Sequence, residues 1–175
     1  MKLNIGCGND IRVGYVNLDY HAGNGVNVVH DLSKIPYPFK NNAFDEIYAS
    51  HILEHIDCPI DKVMQELHRI LAKDGKLIIR VPHYTSPSAH DPFHKTYWHS
   101  DIFDAFITNP KRQRLSKDFG HGYFYQESLR IVFAKGKLFY NYVMEPLANI
   151  NPLVYEATPM SVFPALEIKV VLVKK

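Results

Sequence analysis

Over the first half of the chain, apolar residues fall in short runs broken by glycine, proline and acidic residues. Residues 2–5 form one such run, which stops at Gly6-Cys7-Gly8. Residues 15–18 form a second, ending at Asp19, and residues 26–29 a third, followed by His30-Asp31. Pro36, Pro38 and Asn41-Asn42 mark a loop before a fourth run at residues 44–49. Short apolar runs bounded by turn residues predict strands. After Cys58 the period changes. Val63, Leu67, Ile70 and Leu71 share one face at helical spacing, with Pro59 in the first turn, where a missing N–H costs nothing. Asp74-Gly75 is expected to close that helix, with the glycine left-handed. Residues 76–81 then alternate as a β-branched strand stopped by Pro82.

Strand and helix alternating in this way predict an α/β fold: a Rossmann-like three-layer sandwich around a mostly parallel sheet. Residues 83–121 are rich in aromatics, prolines and polar groups, and read as an insertion with one or two short helices, such as residues 100–107. Residues 127–140, turning at Lys135-Gly136-Lys137, predict a β-hairpin, and residues 165–173 a final strand. The hairpin would add a C-terminal antiparallel edge. At 175 residues the chain reads as a single domain over residues 1–175.

Composition narrows the function classes. An apolar content of 46% and a charged content of 22% describe an ordinary globular chain. No apolar run approaches the roughly 20 residues that span a bilayer, so no membrane partner is expected. The first residues run directly into a strand and a glycine turn, which leaves no expectation of a leader. Cys7 and Cys58 cannot build a disulfide framework, and a reduced, cytoplasmic compartment is expected. A net charge of +2 does not call for nucleic acid. The basic cluster Lys111, Arg112, Arg114 and Lys117 reads as a solvated loop, a phosphate-bearing substrate being its other use. The oligomeric state is left open.

The Gly6-Cys7-Gly8 turn lies where an open α/β sheet binds its ligand, beyond the carboxyl ends of the strands. Glycine there permits close backbone approach and unusual dihedrals. Asp19, after the second run, is placed to accept both hydroxyls of a ribose. Asp31, after the third, is placed to accept from an adenine amino group. Position 11 is Ile11, so the third glycine of a dinucleotide fingerprint is absent. Asp19 also comes earlier than the roughly 20-residue spacing of that fingerprint. Both facts argue against a dinucleotide.

Five stretches together resemble one family. They are Leu3 to Gly8, Val16 to Asp19, Val29 to Leu32, Pro36 to His55 and Glu66 to Leu77. Their order and spacing resemble the class I S-adenosylmethionine-dependent methyltransferases, in particular the short members of the type 11 group, over about the first 82 residues. The resemblance implies S-adenosylmethionine as cofactor. It implies that Gly6, Cys7 and Gly8 wrap its methionine and ribose part. Asp19, with Tyr20 beside it, would meet the ribose hydroxyls, Asp31 and Leu32 the adenine, and Ser50 and His51 the methionine end. Asn4 stands where many relatives carry an acidic residue near the cofactor amino group. The segment between Gly8 and Tyr15 is too short for the usual full helix. Two other classes stay open: an NAD-type nucleotide-binding oxidoreductase or epimerase, and a non-catalytic S-adenosylmethionine-binding scaffold.

Histidines concentrate between His83 and His99. This segment follows the fifth strand, where a methyl acceptor would meet the donor. The expected partner is a small-molecule or carrier-linked acceptor, with a glycan or nucleotide-sugar among the candidates. His94 and His83 are the candidate general bases, since neutral imidazole suits that role. Tyr84, Asp91 and Tyr97 are candidate acceptor-binding residues. His90, His94 and His99, with Asp91 or Asp101, have ligand types suited to zinc or iron. Pro92 breaks a shared helical face and the spacing fits no metal motif, so no metal is expected. His55 is expected to cap or pack.

Overall fold

The computed structural model describes residues 1–108 and 122–175. The basic cluster at Lys111, Arg112, Arg114 and Lys117 and the end of the 83–121 insertion lie outside the described residues. Strands β1 (Lys2–Ile5), β2 (Tyr15–Asp19), β3 (Val28–Val29), β4 (Phe44–Ser50) and β5 (Leu71–Pro82) pair in parallel, and β6 (Phe124–Val132) and β7 (Glu167–Lys174) complete the sheet. Among the described residues the sheet has seven strands, ordered β3-β2-β1-β4-β5-β7-β6. Among the described residues only β7 runs antiparallel, pairing with β5 on one side and β6 on the other.

The first strand owes its place to its composition. Leu3 and Ile5 are fully buried and Asn4 nearly so, as a parallel strand covered on both faces requires. Helix α1 (Ile60–Ile70) buries Val63, Met64, Leu67 and Ile70 in the same core as Leu3, Ile47 and Leu77. It ends one residue before β5 begins. Lys174 holds that end, its ammonium donating to the carbonyls of His68 at 2.7 Å and Leu71 at 2.8 Å. Asp74, not Gly75, takes the left-handed conformation, with φ +60°. Gly75 serves a different need: a Cβ there would lie 2.8 Å from the Ala72 carbonyl oxygen.

The C-terminal antiparallel strands are present, but not as a hairpin over residues 127–140. The chain turns at Gly136 with φ +88° and continues into a π-helical turn (Tyr140–Met144), then helices α2 (Glu145–Ile150) and α3 (Pro152–Ala157). The antiparallel partner of β6 is therefore β7. The intervening helices close a second core of Ile131, Phe133, Met144, Ala148, Tyr155 and Ala165. Through Glu156, α3 also fastens the region after β5: its carboxylate accepts from the Ser100 N–H and hydroxyl, both at 2.7 Å.

Candidate active site

The segments that follow β1 to β4 converge beyond the carboxyl ends of the strands, where open parallel sheets bind ligands. They enclose a cavity of about 280 Å³ lined by Gly6, Asp19, Tyr20, His30, Asp31, Leu32, Ser33, Ile52, His55 and Ile56. Gly6 has φ +60°, and a Cβ on it would lie 2.5 Å from Ile52 Cδ1 and 2.7 Å from its Cβ. Gly8 also has positive φ, +48°, but nothing lies within 4 Å of where its Cβ would stand. Its N–H donates to Asp19 Oδ2 at 2.8 Å, while Oδ1 accepts from the His21 N–H at 3.1 Å. Two backbone donors thus fix the Asp19 carboxylate, and each oxygen keeps a further lone pair.

The loop after β3 is equally braced. Asp31 Oδ1 accepts from the Ser33 N–H at 3.0 Å, an Asx-type turn. The Leu32 carbonyl accepts from the Tyr37 hydroxyl at 3.1 Å. The Arg69 guanidinium holds the carbonyls of Tyr37 at 3.0 Å and Phe39 at 2.8 Å, and is itself paired with Glu66.

Asn4 and Cys7 are buried and do not line this cavity. The Asn4 amide donates to the Asp10 carbonyl at 2.7 Å and to Asn17 Oδ1 at 3.0 Å, so it braces the short segment between β1 and β2. The Cys7 N–H donates to the Leu18 carbonyl at 3.0 Å, and burial pushes its thiol up, which keeps it neutral. Ser50 ends β4, paired with Arg80 across the sheet.

A second cavity of about 320 Å³ adjoins the first, with His55 lining both. His51, Glu54, His90, Asp91 and His94 also line it. His51 stands at φ +52°, its Nε2 3.1 Å from Glu167 Oε2. The Glu167 carboxylate, and after it that of Glu54, pushes His51 up to about 9, so it is an imidazolium at neutral pH. Burial alone would raise Glu167, but hydrogen bonds from His51 and Arg80 outweigh it and hold the carboxyl at about 2.

The histidine-rich segment divides in two. His83 is fully buried: its Nδ1 accepts from the Thr85 N–H at 3.2 Å, and its Nε2 meets Glu156 Oε1 at 3.1 Å. Both ring nitrogens are engaged and the ring packs near Tyr84 and Tyr155, so the expected general-base role of His83 is withdrawn in favour of an anchoring one. Tyr84 lines a separate cavity of about 430 Å³ with His99, Asp101 and Glu156, and its hydroxyl donates to the Glu156 carbonyl at 3.2 Å. Asp91 lines the second cavity and caps the Phe93 N–H at 2.9 Å. Tyr97 is exposed, its ring 6.3 Å from that of His90. His94 lines the second cavity, its ring centroid 4.6 Å from that of His55.

The geometry therefore brings together Gly6, Asp19, Tyr20, Asp31 and Leu32 in one cavity, and His51, Asp91 and His94 in its neighbour. Ile52, His55 and Ile56 belong to the first cavity and were not anticipated for it. Their only sequence signal is their place just after β4. These residues could hold a nucleoside: a fixed carboxylate for vicinal hydroxyls, a second carboxylate at Asp31, and apolar walls from Leu32, Ile52 and Ile56.

Residues 3–79 match the family model described as a methyltransferase domain. No curated protein matches the chain in sequence. Among solved structures, an S-adenosylmethionine-dependent methyltransferase from Archaeoglobus fulgidus is 17% identical with a TM-score of 0.63, the match covering 99% of this chain and 85% of that one. One from Mesorhizobium loti is 15% identical with a TM-score of 0.52, covering 99% and 90%. The [4+2]-cyclase SpnF is also 15% identical, with a TM-score of 0.56, covering 99% and 74%. Residues 3–79 are thus similar to a methyltransferase domain, and the chain shares the Rossmann-like α/β fold of these solved structures. The family match points to S-adenosylmethionine as the cofactor.

Proposed function

We propose that residues 1–175 form a single cytoplasmic methyltransferase domain that acts on a small-molecule or carrier-linked acceptor, such as a glycan end or a nucleotide-linked sugar. The insertion at residues 83–121 would recognise that acceptor. The observation that carries the reading is the Asp19 carboxylate, fixed by the Gly8 and His21 N–H groups and facing a cavity of about 280 Å³. Bound S-adenosylmethionine supplies a methyl group already activated on a sulfonium. The chain's own contribution is then mainly positioning and exclusion of water. Asp19 holds the ribose hydroxyls. Asp31 and Leu32 border the adenine, with Ile52 and Ile56 as apolar walls. Gly6 lets the chain pass closely beneath the ribose and methionine, toward Ser50 and His55. The acceptor enters by the second cavity, where Asp91 and His94 meet it. His94 donates its Nδ1–H to the Ala89 carbonyl at 3.2 Å, which leaves Nε2 with a free lone pair. His51, held as a cation, cannot serve as the base.

The absence of the third glycine and the early Asp19 weigh against the dinucleotide alternative. Fold alone does not guarantee methyl transfer, as the cyclase neighbour illustrates. Asp19→Ala tests the carrying observation. Loss of the charge-assisted bonds should weaken binding of S-adenosylhomocysteine by about 1.5–3 kcal/mol, roughly ten- to a hundredfold. Calorimetric titration of a folded variant with unchanged affinity would remove Asp19 from the site.

A further inference from the structure

Glu54 is 1% exposed, and among the described residues neither carboxylate oxygen has a hydrogen-bond partner. Its nearest cation is His51 Nδ1 at 3.5 Å, too long for a good hydrogen bond. The His51 imidazolium stands near only one of the two oxygens and hydrogen-bonds to neither, so this buried carboxylate stays under-satisfied, which is costly and leaves a place for a further cation. Two histidines supply the rest of a ligand set. Single ligand atoms from Glu54, His55 and His94 all lie within 4.8 Å of one another. These residues come from two loops that a backbone hydrogen bond ties together: the Lys95 N–H donates to the Glu54 carbonyl at 2.6 Å. The His94 tautomer is set as well. A carbonyl can only accept, so the contact with Ala89 places a proton on Nδ1 and leaves Nε2 as the atom available to a metal. An outer carbonyl that orients the imidazole in this way is the usual support of a metal-bound histidine.

We propose that Glu54, His55 and His94 form a binding site for one divalent transition-metal ion, on the wall between the two cavities. Two imidazoles and one carboxylate suit zinc, iron or manganese rather than calcium or magnesium, which take oxygen ligands. Three protein ligands leave coordination positions open toward the second cavity, the pattern of catalytic rather than structural sites. Ligand bonds of about 2.1 Å put tetrahedral ligand atoms about 3.4 Å apart, so binding draws the three side chains inward. His94 then gives its lone pair to the metal rather than to an acceptor proton. The ion would take over activation of the acceptor by binding its oxygen and lowering that group's pKa. This set differs from the histidines that the spacing between His90 and His99 suggested: His94 is shared, whereas His99 is paired with Asp101.

The test uses the metal alone, without S-adenosylmethionine, so its failure leaves the cofactor reading standing. The chain is stripped with chelator, titrated with ZnCl₂ by calorimetry, dialysed, and analysed for bound zinc. One equivalent per chain is expected. His94→Ala and the near-isosteric Glu54→Gln should each weaken binding about a hundredfold, whereas His99→Ala and His21→Ala should bind as the parent does. Circular dichroism checks that each variant is folded. Three results would overturn the proposal: no stoichiometric zinc in the parent, zinc retained by both His94→Ala and Glu54→Gln, or zinc lost from His99→Ala.

Discussion

The two glycines after β1 look equivalent in sequence and are not equivalent in the structure, which gives a sharp mutational contrast. Both have positive φ, +60° at Gly6 and +48° at Gly8. Alanine at either position therefore carries a left-handed backbone cost of about 1–2 kcal/mol. At Gly6 the new Cβ also runs into Ile52, with Cδ1 at 2.5 Å and Cβ at 2.7 Å, a branched side chain in the cavity wall. Overpacking of that kind adds about 1–3 kcal/mol. Gly6→Ala should thus lose about 2–5 kcal/mol in urea unfolding, and Gly8→Ala only about 1–2. Affinity separates the two further. Among the described residues nothing lies within 4 Å of a Gly8 Cβ, so on the proposed reading a larger side chain there crowds the cofactor and not the protein. Gly8→Val should remain folded yet bind S-adenosylhomocysteine at least about tenfold more weakly by calorimetry, because it crowds the ligand and disturbs the N–H that orients Asp19. Equal stability losses for Gly6→Ala and Gly8→Ala would refute the collision argument. A folded Gly8→Val with parental affinity would show that this turn does not meet the cofactor.

Two further outcomes follow from buried polar groups. His83→Ala should cost about 2–4 kcal/mol of unfolding free energy, since it leaves Glu156 short of a partner and opens a cavity; a parental urea midpoint would show that His83 anchors nothing. Glu167 faces Arg80, His51 and Lys169, and its folded value of about 2 lies below the ordinary 4.5. A depressed carboxylate contributes stability that is complete above pH 4.5 and is lost as the pH falls toward 2. The shift corresponds to about 3 kcal/mol, so the unfolding free energy of the parent relative to Glu167→Gln should shrink by that order between pH 6 and about pH 2. A pH-independent difference would refute the assignment.

The parallel half of the sheet was legible because each strand is a buried apolar run punctuated by residues with a local reason to stop it. The pairing of β6 was not. Lys135-Gly136-Lys137 does turn the chain, but helices as short as Glu145–Ile150 and Pro152–Ala157 leave too few turns for a period to show. That Gly6, Asp19, Asp31 and Leu32 line one cavity was legible because each lies at or just after a strand end. Ile52, His55 and Ile56 follow β4 in a single short turn with no periodicity to mark it. His83 was misread for a physical reason: a histidine at a strand end looks the same in sequence whether it faces a cavity or, as here, a buried glutamate. The approach of His94 to Glu54 and His55 depends on a backbone hydrogen bond between two loops, which spacing cannot reveal.

The most direct test of the account is calorimetric titration of the purified chain with S-adenosylmethionine and, in parallel, with NAD. The expected result is one S-adenosylmethionine site per chain with a micromolar dissociation constant, about −8 kcal/mol, and no heat from NAD. No binding of S-adenosylmethionine at millimolar concentration, or preferential binding of NAD, would contradict it.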